Sequence, residues 1–142
     1  SSAGSAATSG NRNTYIGASA GLLSSSSIDN VAVGSQALDA LTTATGGNTC
    51  IGSGALSAVT GSFNISMGYN AGDNITSGAG NIIIGASVDA DSATGDHQLK
   101  IANYNGSSTV TWIEGESTGN TEIAVNWNPS LSTTGKAFVM GF

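Results

Sequence analysis

A five-residue phrase recurs five times along the chain: asparagine, two variable residues, an aliphatic residue and glycine. The asparagines lie 17, 18, 16 and 17 residues apart. The five copies run from Asn13 to Gly17, Asn30 to Gly34, Asn48 to Gly52, Asn64 to Gly68 and Asn81 to Gly85. A near-constant period of this size is typical of a solenoid, in which each repeat forms one coil that stacks on its neighbours.

Each phrase is too short for a helix and predicts a short β-strand bounded by turn residues. The second and fourth positions are mostly apolar, as in Val31 with Val33 and Ile82 with Ile84. Alternation by two places such a pair on one face of the strand. The glycine permits a bend or a close approach of backbone. A repeat of about 17 residues accommodates two short strands and two turns, which is one coil of a parallel β-roll.

Stacked coils are expected to place the five asparagines above one another, so that their side-chain amides can form a ladder. A coil this thin cannot bury its own apolar strand. We therefore expect the stack to leave one apolar flank, which copies of the same chain cover around a three-fold axis. Aspartate in place of Val33 or Ile84 is then expected to put an unpaired charge into the stack and abolish assembly.

An alanine follows three residues after the glycine in four of the five copies: Ala20, Ala37, Ala55 and Ala71. This extended phrase resembles the left-handed parallel β-roll of trimeric autotransporter adhesin heads. It is even more similar to the head repeats of trimeric phage tail fibres, above all over residues 68–85. The resemblance covers about residues 11–103, and the period is longer than is usual in adhesin heads.

The resemblance implies a structural and host-attachment module, the distal part of a homotrimeric phage tail fibre. Its place would be the virion, outside the cell. Its partners would be a host cell-surface glycan or protein and other fibre or tail proteins. A bacterial trimeric surface adhesin head, on the bacterial cell surface, and a tailspike-like polysaccharide depolymerase are the alternatives.

The chain is expected to be all-β and to divide into three parts. Residues 1–12 are interpreted as a linker or a frayed first coil, residues 13–103 as the β-roll, and residues 104–142 as a C-terminal β-rich cap or knob. The segment from Gln98 to Ile101 follows Asn81 by 17 residues and predicts a degenerate sixth coil. Beyond the period, strand-like runs begin at Thr109, Thr121 and Lys136.

Composition excludes several partners. The chain has three lysines and arginines against nine acidic residues, for a net charge of −6, which argues against nucleic-acid binding. No apolar run is long enough for membrane insertion. Cys50 is the single cysteine, so it cannot form an internal disulfide, and its place within a phrase predicts a small buried residue.

Acidic side chains provide the one candidate metal site. Asp89, Asp91 and Asp96 alternate along a loop-like stretch and offer the hard oxygen ligands that Ca²⁺ prefers. The stretch lacks the full calcium-loop pattern, and a solvated acidic turn is the alternative. No cofactor is expected.

Catalytic and ligand-binding residues are harder to find. His97 beside Asp96 could act in acid–base catalysis only with a third positioned group, which the sequence does not provide. Glu114 and Glu116 resemble the paired carboxylates of glycosidases but are interpreted as exposed loop charges. We therefore expect no enzyme activity. The aromatic candidates for glycan stacking are Trp112, Trp127 and Tyr104, with Tyr69 a further one. Packing in the core or at a subunit interface is the alternative for the tryptophans.

Overall fold

The computed structural model describes residues 2–42 and 46–116, and within them it contains seven β-strands and no helix. The strands are β1 (Thr14–Ile16), β2 (Val31–Val33), β3 (Thr49–Ile51), β4 (Ile65–Met67), β5 (Ile82–Ile84), β6 (Gln98–Tyr104) and β7 (Thr109–Glu116). They form one sheet in sequence order, with β1 to β6 parallel and β7 antiparallel to β6. The chain is therefore an all-β solenoid with a spacing of about 17 residues, as the period predicts.

Each of the first five coils contains one strand of three residues, not the two strands expected, and the rest of the coil is a series of turns. Left-handed backbone at non-glycine residues, such as Gln36 with φ 58° and Asn70 with φ 48°, closes these corners tightly. The turns bond to the next coil and not to a second strand; for example, Leu38 N donates to Ala55 O at 3.0 Å. Residues 36–41 form such a corner.

The asparagines of the phrase form the expected amide ladder. In its middle, the backbone N and the Nδ2 of Asn64 both donate to Asn48 Oδ1, at 2.9 and 3.3 Å. Asn64 Nδ2 also donates to Gly78 O at 2.9 Å. The same contacts recur from coil to coil, and Asn30, Asn48, Asn64 and Asn81 are fully buried. Each coil thus satisfies the buried polar atoms of its neighbour.

The aliphatic pair of each strand faces away from the coil interior, which corrects the expectation that Val33 and Ile84 point into the stack. The interior position is the middle residue of the strand, and Ala32, Cys50 and Ile83 are fully buried there. Because side chains alternate along a strand, the flanking aliphatics must occupy the outer face. Val33 and Ile84 are half-buried on that face.

The glycine of the phrase is required by close approach of the next coil. Gly34 has a φ of 139°, and a Cβ built there would lie 2.4 Å from Gly52 O. The other four phrase glycines have the same left-handed conformation and the same contact with the following coil. Ala102 takes this position in the sixth coil, where the next strand is antiparallel and no equivalent carbonyl follows.

Two long side chains close the ends of the interior column. Tyr15 occupies the column in the first coil and Lys100 in the sixth, where the Lys100 side chain is 14% exposed and pairs with Asp91. Before the first coil, residues 2–9 stack on the turns through bonds such as Gly4 N to Ala20 O at 2.8 Å. They form a partial coil without a strand.

Beyond the repeats, the first strand-like run predicted for the C-terminal cap is strand β7, which pairs along the whole of β6. The runs that begin at Thr121 and Lys136 lie outside the described residues. So does Trp127.

Candidate interaction surface

The outer side of the parallel sheet carries two in-register columns of side chains, which we call the outer face. It consists of Thr14, Ile16, Val31, Val33, Thr49, Ile51, Ile65, Met67, Ile82, Ile84, Leu99 and Ile101. Ten of these are aliphatic, two are threonine and none is charged. Ile16 is 59% exposed and Met67 43%. At roughly 4.8 Å per strand, the face is about 24 Å tall.

The fourth coil widens this surface with two aromatic rings. Phe63, Ile65, Met67 and Tyr69 are all exposed and alternate with less exposed residues. Phe63 is 71% exposed and Tyr69 58%, so this row presents an aromatic residue at either side of the aliphatic pair. Exposed aromatic and methionine side chains are enriched at protein interfaces.

Phe63 is a residue that sequence reasoning missed. It precedes the asparagine of its phrase, where the other coils have Arg12, Asp29, Gly47, Gly80 and His97. This position is left-handed in every coil, and the Phe63 ring lies over Gly47, whose added Cβ would come within 2.7 Å of it. The sequence feature that could have identified Phe63 is that it is the single aromatic residue at a position where the other coils have polar residues or glycine.

One ion pair flanks the outer face, in the column that Phe63 occupies in the fourth coil. Arg12 donates to both carboxylate oxygens of Asp29 in the next coil, at 2.6 and 2.8 Å. This hydrogen bond holds the pKa of Asp29 below its ordinary value. The pair is exposed, so its effect on stability is small.

The structure does not bring the three candidate metal ligands together. Asp91 pairs with Lys100, and Asp96 Oδ1 accepts from Ala79 N at 2.7 Å. Asp89 neighbours Asp73, and burial together with this nearby carboxyl raises the pKa of Asp73. In the part of the chain that is described, no group of three or more histidine, cysteine, aspartate or glutamate side chains could hold a metal ion.

Two of the aromatic ligand candidates are exposed near the C-terminal end of the sheet. Tyr104 is 44% exposed at the end of β6, and Trp112 is 60% exposed on β7. Trp112 lies at a bulge, because its neighbours Thr111 and Ile113 pair with consecutive residues of β6. The exposed position leaves the Trp112 ring accessible to a ligand or to another subunit.

Glu114 and Glu116 belong to strand β7, which corrects their assignment to a loop. Pairing of Gly115 with Leu99 carries the strand through the glycine. Glu114 is half-buried and lies opposite Lys100. The antiparallel pairing with β6 therefore imposes extended structure where the sequence suggested a loop.

Among the described residues, no helix is long and apolar enough to cross a membrane. Compared with known proteins, the chain matches no family model, no curated protein and no solved structure.

Proposed function

We propose that this chain is a structural and attachment rod, the distal part of a homotrimeric phage tail fibre that recognises a cell-surface receptor. The observation that supports it is the outer face: an uncharged aliphatic surface in register over six coils, on a chain with a net charge of −6. Three copies arranged around one axis would bury this face and leave the turns and the C-terminal end exposed.

The expected stabilisation is large enough for assembly. Burial of an aliphatic side chain that is about half exposed contributes roughly 1 kcal/mol. Six aliphatic residues of the face are at least 36% exposed: Ile16, Val31, Ile51, Ile65, Met67 and Ile82. Summed over three chains, their burial is comparable with the cost of association, which is about 4–15 kcal/mol.

A charge on the outer face tests the assembly. Ile65→Lys is expected to convert the trimer into a monomer, since three ammonium groups would meet near the axis without partners. Ser77→Lys adds the same charge at an exposed turn of the next corner and is expected to remain trimeric. Size-exclusion chromatography separates the two results, and an Ile65→Lys variant that elutes as the wild type does would contradict the interface.

Attachment is tested by binding of the fluorescently labelled wild-type chain to a panel of bacterial strains. We expect saturable binding to a subset of strains, strengthened by three identical tips on one rod. Periodate treatment of the cells should abolish binding to a glycan receptor and spare binding to a protein receptor. A correctly assembled trimer that binds no strain would contradict the attachment role, and release of oligosaccharide from purified host polysaccharide would favour the depolymerase alternative.

A further inference from the structure

A lysine occupies the interior column in the sixth coil, where the earlier coils have uncharged residues. Lys100 pairs with Ile83 of β5, in the same column that holds the buried Ala32 and Cys50. The Lys100 side chain is 14% exposed. An ammonium group this far from solvent needs a partner of opposite charge. The attachment role proposed above does not explain why a lysine stands at this position.

Two carboxyl groups lie beside this amine. Asp91 Oδ1 contacts Lys100 Nζ. Glu114 lies directly opposite Lys100 in the pairing of β6 with β7, so the two side chains project from the same face of the strand pair, with Cβ atoms about 5 Å apart. Glu114 is half-buried. The strand register therefore brings one amine and two carboxyl groups together at the end of the interior column.

The backbone on either side of Asp91 is held by two carboxamide side chains. Asn74 donates to Ala90 O at 2.8 Å and accepts from Ala90 N at 2.9 Å. Gln98 accepts from Ser92 N at 2.8 Å and donates to Ser92 O at 2.9 Å. These four bonds fix the corner that carries Asp91 against the strand that carries the lysine. The carboxyl group and the amine are therefore positioned before any reaction takes place.

We propose that Lys100 and Asp91 condense to form an intramolecular isopeptide bond, with Glu114 as the acid–base group. Transfer of one proton within the ion pair gives a neutral amine and a carboxylic acid. Lys100 Nζ attacks Asp91 Cγ, and Glu114 takes a proton from the nitrogen and returns it to the departing hydroxyl. The Cγ–O bond breaks and one water leaves. The reaction is redox-neutral and needs no further reactant.

Two physical effects favour the amide over the ion pair. Groups held in a reactive geometry behave as if present at effective concentrations of up to roughly 10⁵–10⁸ M, which offsets the competition from water. A poorly solvated ion pair also carries a desolvation cost that a neutral amide does not. The bond would tie the corner after β5 to the middle of β6, so that the last coil could not unwind.

The test is the mass of the intact wild-type chain, measured by electrospray mass spectrometry after denaturation. We expect most chains to be lighter than the sequence mass by one water. Tryptic digestion of the denatured chain then locates the bond, because trypsin does not cleave after an acylated lysine. A single peptide of residues 13–136 should replace the peptides 13–100 and 101–136.

Four variants assign the roles. Asp91→Ala and Lys100→Met each remove one partner and should restore the full sequence mass. Glu114→Gln keeps the size of the side chain and should leave most chains uncondensed when purified in parallel, since an acid–base group contributes about 10²–10⁴-fold to a rate. Asp96→Asn removes a carboxylate from the same loop and should condense as the wild type does.

A wild-type chain of full sequence mass would overturn the proposal and leave an ion pair only. So would a loss of water with normal cleavage after Lys100, because the dehydration would then lie elsewhere. Condensation of Glu114→Gln to the same extent as the wild type would overturn the role given to Glu114. The wild-type mass and peptide map decide the main point even if a variant fails to fold.

Discussion

At the scale of single residues, the stack tolerates few substitutions because the backbones of neighbouring coils are in direct contact. Gly34 faces a carbonyl of the next coil, and Cys50 is buried in the interior column. Ser24 is buried between β1 and β2, with a hydroxyl that has no partner among the described residues. Each of these environments predicts a different response to substitution.

Gly34→Ala is expected to lower the free energy of unfolding by about 2 kcal/mol or more. The new Cβ would lie 2.4 Å from Gly52 O, on a backbone with a φ of 139° that alanine rarely adopts. Gly106→Ala is the control, since Gly106 also has a left-handed φ of 93° but nothing lies within 4 Å of its added Cβ. Chemical denaturation should show the larger loss for Gly34→Ala, and equal losses would contradict the close approach of coils.

Ser24→Ala is expected to leave stability unchanged or to raise it by up to about 1 kcal/mol, because it removes a buried hydroxyl that makes no hydrogen bond. Ser66 offers a contrast, since its equally buried hydroxyl donates to Ala71 O. Ser66→Ala should destabilise the chain by about 1 kcal/mol. Melting temperatures that rank the two variants in the opposite order would show that the Ser24 hydroxyl has a partner.

Burial raises the pKa of the Cys50 thiol to about 12, from an ordinary value of 9.0. Below pH 9 the thiol is neutral in both states, so stability is fully retained there. Above pH 9 only the unfolded thiol ionises, and the free energy of unfolding should fall with pH, by at most about 1.4 kcal/mol per unit, until about pH 12. Subtracting the curve of Cys50→Ala isolates this contribution, and a flat difference between pH 9 and 11 would place the thiol in solvent.

At the scale of the coil, the ladder residue is the element that connects one repeat to the next. Asn64 bonds through its side chain and backbone to Asn48, and it receives the amide of Asn81. The period and the residue type were enough to predict this ladder from the sequence, because identical residues at a fixed spacing must stack if the chain coils. The degenerate sixth coil was predicted for the same reason, through Leu99 and Ile101.

Orientation of the strand could not be predicted in the same way. Alternation places Val31 and Val33 on one face but does not say whether that face points inward, and the interior holds the less conspicuous Ala32. The narrow interior decides which strand face points inward, and its width is set by the turns and not by the strand. The hydrogen-bond roles of the turn residues, and the exposed ring of Phe63, depend on left-handed corners that residue types alone did not reveal.

Asn64→Leu is expected to lower the free energy of unfolding by about 3 kcal/mol, since it leaves Asn81 N and Gly78 O buried without partners. Asn103→Leu is the matched control: the Asn103 amide is exposed and makes one bond, to Ala86 N at 3.1 Å, so its loss should cost about 1 kcal/mol or less. Urea denaturation measures both. Equal values would mean that the ladder does not hold the coils together.

At the scale of the whole molecule, the coil stack satisfies its own polar groups but leaves its most apolar surface in water. From the second coil to the sixth, the ladder bonds are made within one chain, as are the glycine contacts between coils. The outer face is left uncovered, with Ile16, Ile65 and Met67 exposed and no charge among its twelve positions. Large uncharged apolar faces on soluble proteins are usually interfaces.

The molar mass of the wild-type chain in solution tests this most directly. We expect light scattering at micromolar concentration to give three times the mass of the 13.9 kDa chain, with the outer faces turned toward a common axis. A stable species of 13.9 kDa, folded and soluble at that concentration with its aliphatic columns open to water, would contradict the proposal that copies of this chain cover one another.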